Sequence, residues 1–309
     1  MEETRKDMAQ IISDYLTYKI PECKELGKLH GIDKEIIDQK YEYFCENITD
    51  EIINIFKNEQ KKLFEPNFES YNFYSVFVFS FFIYIIRFTA EYKDKKPNIV
   101  PYNLLISALQ KYKDIVHLME NKQYESATIL FRALYENLVI LYFINYNDCS
   151  DTFSDFSFYK LFKKMPKNIR KEQEFGEIDK KLSFIENKYP EKDLNSNYGW
   201  ARKKINKDSN IKIYFTDLLD KVIENNVNIK YIYEESSNLI HSTSSILIDS
   251  HFVPLLENNL KYYIEYLGIP IITRCFYDFF CDNYYTDANI FLRICELCML
   301  RYNININIR

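Results

Sequence analysis

The chain has 309 residues, 47% of them hydrophobic, and a formal net charge of -5 from 45 acidic and 40 basic residues. That apolar share supplies a sizeable core, and the acidic balance excludes a chain that holds nucleic acid through its overall charge. Only 5 glycines and 8 prolines argue against an all-β fold and against long disordered linkers. Recurrent apolar residues at helical spacing predict an all-α, multi-helix bundle.

The first residues, Met1-Glu2-Glu3-Thr4-Arg5-Lys6-Asp7, are charged and carry no apolar signal region, and the 7 cysteines show no disulfide-framework spacing. Both features predict a cytoplasmic chain with reduced thiols. Residues 1–98 read as an N-terminal helical region. Ile11, Ile12, Tyr15, Leu16 and Ile20 form one stripe. Thr49-Asp50-Glu51 predicts an N-cap and an acidic first turn, followed by Ile52, Ile53, Ile55 and Phe56, with Pro66 closing the helix. Tyr71–Ile86 is almost continuously apolar. It falls short of the ~20 residues a membrane span needs and contains Asn72, Ser75 and Ser80, so the expectation is a buried central helix and no integral membrane insertion.

Residues 99–309 read as the main helical bundle. Pro101 suits the first turn of a helix that runs through Leu104, Leu105, Ala108, Leu109, Tyr112, Ile115, Val116 and Leu118. After Asn121-Lys122-Gln123 a second helix spans about Tyr124 to Tyr146, which makes a central antiparallel hairpin. Residues of about 148–212 read as a basic polar connection, only intermittently periodic. From Lys160 to Lys212 there are 15 Lys/Arg and 8 Asp/Glu, a balance of +7 that leaves -12 for the remainder, and the sole tryptophan, Trp200, falls here. A connection of that length is functional or mobile. Periodicity returns at Tyr214, Leu218, Leu219, Val222 and Ile223, and further helices are expected over about 230–248, 252–280 and 287–302.

Two stretches carry the residue types that chemistry needs. In the apolar helix from Ala127, Arg132 and Glu136 lie one turn apart on one face. Buried charges are costly unless paired and hydrogen-bonded, so the pair is either a structural clamp between helices or part of a site. Later, Tyr233, Ser237 and His241 follow one another at intervals of four and share a helix face, with Thr243 beyond. Ser237 and His241 have the spacing of a hydrogen-bonded nucleophile and base; a histidine satisfied within a polar network is the plainer reading.

Together these stretches resemble a bacterial family known as domain of unknown function 5677. Its pattern is a hairpin whose second helix reads small-x-x-x-x-Arg-x-x-x-Glu, here Ala127, Arg132 and Glu136. A later helix reads Tyr-x-x-x-Ser-x-x-x-His, here Tyr233, Ser237 and His241, and the Gly199-Trp200 region corresponds to a further position. The resemblance covers roughly Tyr102 to Leu247 and implies a fold more than a reaction. Comparable helical domains belong to the HEPN class of nucleotide-binding or RNA-cleaving bundles, whose nuclease motif is Arg, four to six residues, then His. His30, His117, His241 and His251 all lack an Arg at that distance. A nuclease of this kind would have to assemble Arg132 and His241 across helices, with His241 as general acid/base and Arg132 on the developing phosphate charge.

Cys295-x-x-Cys298, with Cys275 and Cys281 before it, has part of a zinc spacing. The pair lies in an apolar helix without a turn glycine, so buried thiols are expected and neither metal nor cofactor is called for. In the basic segment, Arg202, Lys203 and Lys204 offer phosphate contacts and Trp200 a stacking ring, against a default of solvated lysines. Two functions therefore stand. One is a regulatory or interaction protein of a bacterial defence or stress system, with an RNA or protein partner and homo-oligomers open. The other is an RNA-cleaving effector that uses Arg132, Glu136 and His241, with Ser237 and Tyr233 in support.

Overall fold

A computed structural model describes residues 10–19, 34–62, 99–166, 177–208, 211–222, 257–261, 293–294 and 296–297. Among these residues 85% are helical and there is no strand, so the fold is all-α. The chain divides into two compact units, one of residues 1–97, 105–135 and 233–309, the other of residues 98–104 and 136–232. The expected helix over Tyr71–Ile86 and the cysteines at 275, 281, 295 and 298 lie outside the described residues.

In the first unit, α1 (residues 10–19) buries Ile12, Ser13 and Leu16 and leaves Ile11 and Tyr18 exposed. Helix α2 (Lys34–Lys62) buries Cys45, Ile48, Ile52, Ile53 and Phe56, a stripe at three- and four-residue spacing. Thr49 does not cap a helix, contrary to the expectation from its sequence context. It sits in the middle of α2, fully buried, and its hydroxyl donates to the Cys45 carbonyl at 2.8 Å. A threonine bonded back to the carbonyl four residues earlier needs no helix end, and the apolar stripe runs past it from Cys45 and Ile48 to Ile52. Arg293 forms a two-pronged ion pair with Glu42 and a further bond to Glu296 at 3.0 Å. The Arg293 guanidinium holds the Glu42 carboxyl below its usual range. The stabilisation from that pair is present above the ordinary carboxylate pKa and is lost as pH falls through the depressed one.

Helix α3 (Ile99–Glu120) and helix α4 (Tyr124–Asn147) are joined by three residues. The turn closes with the Gln123 N–H on the Leu118 carbonyl at 2.8 Å and the Lys122 N–H on the Met119 carbonyl at 3.0 Å. Lys122 takes the left-handed conformation at φ 57°, which completes a Schellman end to α3. Leu105, Ala108, Leu109, Tyr112, Ile115 and Val116 of α3 are buried as the periodicity predicts, whereas Leu104 and Leu118 are half-buried and Met119, which the periodicity did not single out, is in the core. Helix α4 buries Ala127, Phe131, Leu134, Leu138, Leu141, Phe143 and Ile144. Among the described residues it is the helix long and apolar enough to cross a membrane, yet 56% of that window is buried inside the protein, as in a core helix.

The second unit contains the stretch expected as a polar connection. Its described residues are folded. They form α5 (Ser150–Lys163), α6 (Ile178–Lys188), α7 (Glu191–Leu194), a 3-10 turn (Gly199–Ala201), α8 (Arg202–Ile205) and α9 (Phe215–Val222). Asp148, left-handed at φ 47°, ends α4, and Asn206 at φ 59° ends α8. Pro190 stops α6, because the residue before a proline is driven out of helical conformation and Tyr189 is extended. Asp217 accepts the Tyr214 N–H at 2.8 Å, one half of a capping box that starts α9. Helix α5 packs on α6, α7 and the 3-10 turn. The core is Phe156, Tyr159, Leu182, Ile185, Leu194, Trp200, Ile205, Phe215, Leu218 and Leu219.

Candidate functional site

Arg132 and Glu136 stand on successive turns of α4, both half-buried, and each is engaged in polar or electrostatic interactions. The same helix buries Tyr135, and burial raises its phenol pKa, so it stays protonated at any ordinary pH. Tyr233, Ser237 and His241 lie outside the described residues. Among the described residues no group of three or more His, Cys, Asp or Glu stands together to hold a metal ion.

The sequence also marked Trp200, Arg202, Lys203 and Lys204. Trp200 is 4% exposed. The Phe153 ring meets the indole edge-on with centroids 5.0 Å apart, and the Phe143 ring does so at 5.5 Å. Such perpendicular pairs satisfy the ring quadrupoles and fix the indole in the core, with no open ring face for a base. Arg202 is equally committed. Its Nε donates to Asp193 Oδ1 at 2.5 Å, and its Nη1 donates to the carbonyls of Asp208 and Ile211, each at 2.8 Å. Three protein acceptors in three directions are what a planar guanidinium serves better than a lysine. Lys203 and Lys204 are exposed.

Asp193, which the residue pattern did not single out, is the other half of this arrangement. It is 6% exposed and its carboxylate meets Arg202 across the Gly199 turn. Gly199 is required there: a Cβ at that position would lie 2.1 Å from the Asp193 carbonyl oxygen. The signal was present as Asp193-x₅-Gly199-x₂-Arg202, but nothing in the residue types says that the two charges meet.

In the same unit Cys149 is buried, and burial pushes its thiol pKa up to about 11 despite the Lys204 charge that lowers it. The thiolate is the reactive form, so Cys149 should stay unmodified by iodoacetamide at neutral pH in the folded protein and react only on unfolding. Peptide mapping of alkylated protein reads this directly; rapid native labelling at Cys149 would contradict it.

A different surface emerges on α5 and α6. Leu161 is 66% exposed and Phe184 60% exposed. The Phe158 and Phe162 rings lie 4.5 Å apart, and the Lys181 ammonium sits 4.3 Å from the centre of the Phe158 ring. Lys188 covers Phe184 at 5.5 Å and pairs with Asp155 at 2.8 Å, which raises the lysine pKa. Lys163 pairs with Glu186. Lys160 donates to Asn197 at 3.0 Å, and burial first, then the Lys164 charge, lowers its pKa.

These features define an all-α bundle in which the charges around Trp200 are bound into the fold while apolar side chains stand out on a neighbouring helix pair. The chain belongs to the family of unknown function DUF5677, whose model matches residues 98–259. That span takes in Arg132, Glu136, Trp200, Tyr233, Ser237 and His241. No curated protein and no solved structure matches the chain.

Proposed function

We propose that this chain is a regulatory or interaction protein of a bacterial defence or stress system, acting in the cytoplasm through protein contacts rather than catalysis. The observation that carries the reading is the exposure of Leu161 on α5 and Phe184 on α6, together with the half-buried Phe158 and Phe162 rings on α5. Large apolar side chains held outward on packed helices mark an interaction surface more often than a chemical site. The strongest polar constellation of the same unit, Asp193 with Arg202, is occupied in holding the backbone.

The alternative is an RNA-cleaving effector of HEPN type, supported by the half-buried Arg132 and Glu136 in the family-matched part of α4. His241→Gln separates the two. Under the interaction reading, the folded variant keeps its cellular activity, read as phage plating efficiency or survival under stress, and wild-type protein does not cleave RNA. If purified wild type cleaves RNA and His241→Gln lowers the rate about 100- to 10,000-fold with the melting temperature unmoved, the effector reading holds instead.

A further inference from the structure

We infer that the outer face of α5 and α6 is a docking strip for an acidic amphipathic helix of a protein partner; this rests on the interaction reading above. Phe158, Leu161 and Phe162 follow at three and four residues along α5, and Lys181, Phe184 and Lys188 follow at three and seven along α6, so each trio shares one helix face. The Lys181 ammonium over the Phe158 ring joins the two rows. The strip is therefore apolar along its length and lysine-bearing along the α6 side.

Its charge selects the partner. Within α5 and α6, five lysines (160, 163, 180, 181 and 188) stand against four carboxylates (151, 155, 179 and 186). A helix pair so nearly balanced lacks the concentrated positive charge that a nucleic-acid backbone requires. Two of the lysines already meet carboxylates, Lys188 at Asp155 and Lys163 at Glu186. Lys181 meets an aromatic ring instead, and among the described residues no carboxylate stands against it. An incoming helix with Leu, Ile or Phe at every third or fourth position would cover Leu161 and Phe184, while a carboxylate at its edge would reach Lys181. The lysine would then lie between ring and carboxylate, which suits a cation whose partner supplies the missing anion.

The test uses the full chain and two synthetic 18-residue helical peptides with the same leucine stripe, one flanked by glutamates and one by lysines, together with a single-stranded RNA. Binding is read by fluorescence anisotropy. The acidic peptide should bind saturably, the basic peptide and the RNA should not compete, and Leu161→Ser with Phe184→Ser should weaken binding at least about tenfold, as loss of buried anchors does. Lys181→Glu should weaken the acidic peptide and strengthen the basic one. These side chains are exposed, so the variants should keep the parent melting temperature. Equal affinity of wild type and double variant for the acidic peptide, displacement by RNA, or a concentration-dependent dimer that the double variant abolishes would each overturn the proposal. If the double variant loses peptide binding yet keeps full cellular activity, the strip stands and the interaction reading of function falls. If it loses cellular activity while wild type binds no acidic peptide, the acidic helix falls and the interaction reading stands.

Discussion

Gly199→Ala should strongly destabilise the unit that holds Trp200. The added methyl would lie 2.1 Å from the carbonyl oxygen of Asp193, 2.7 Å from its carbonyl carbon and 2.9 Å from its Cα. All three are backbone atoms, so no side chain can swing aside. That carbonyl already accepts the Ser196 N–H at 2.9 Å, and the same residue's carboxylate is held by Arg202. Relief of the clash therefore requires moving α7 or the 3-10 turn, with loss of that bond or of the ion pair. Overpacking of a side-chain core costs about 1–3 kcal/mol, and a clash against fixed backbone belongs at or above the top of that range. The one tryptophan of the chain lies in this turn, so urea denaturation followed by its fluorescence reports on this unit. A midpoint unchanged from wild type would show that the turn yields without cost.

Arg202→Ala is the second large effect. The Arg202 and Asp193 side chains are 13% and 9% exposed. Removal of the guanidinium leaves a buried carboxylate without its cation and two carbonyls, of Asp208 and Ile211, without their donor. Breaking a buried pair from one side costs about 3–5 kcal/mol. Arg202→Lys should recover only part of this, because one ammonium cannot reach acceptors in three directions. Replacing both partners, Arg202→Met with Asp193→Leu, should cost less than Arg202→Ala alone, since no charge is then stranded. If Arg202→Ala and the double replacement destabilise equally, the cost lies in lost packing rather than in an unpaired charge.

The all-α class and the α3–α4 hairpin were legible because long helices repeat their apolar spacing often enough to be read. The α3 stripe from Leu105 to Met119 spans four turns. Helix α6, by contrast, shows its period only in Ile178, Leu182 and Ile185, and α7 and α8 are four residues each, too short to declare a face. Their fold is set by tertiary contacts, by Trp200 between Phe143 and Phe153 and by Arg202 on Asp193, which join residues whose pairing no local pattern marks. For the same reason Trp200 and Arg202 read as candidate ligand contacts. An aromatic ring beside basic residues has the same composition whether it faces solvent or the core. Thr49 misled in a related way: threonine before two acids is a helix start by local chemistry, yet the same hydroxyl is satisfied inside a helix by the carbonyl of Cys45. The Arg132–Glu136 spacing and the Tyr233–Ser237–His241 spacing marked the family, because they are separated motifs in a fixed order.

If the protein acts by contact through α5 and α6, as proposed, Leu161→Ser with Phe184→Ser, expressed at the wild-type level and with the wild-type melting temperature, should be inactive in the cell. Phage plating efficiency or stress survival should fall to that of cells without the protein. Full activity of this folded double variant would mean that the protein does not act through these helices.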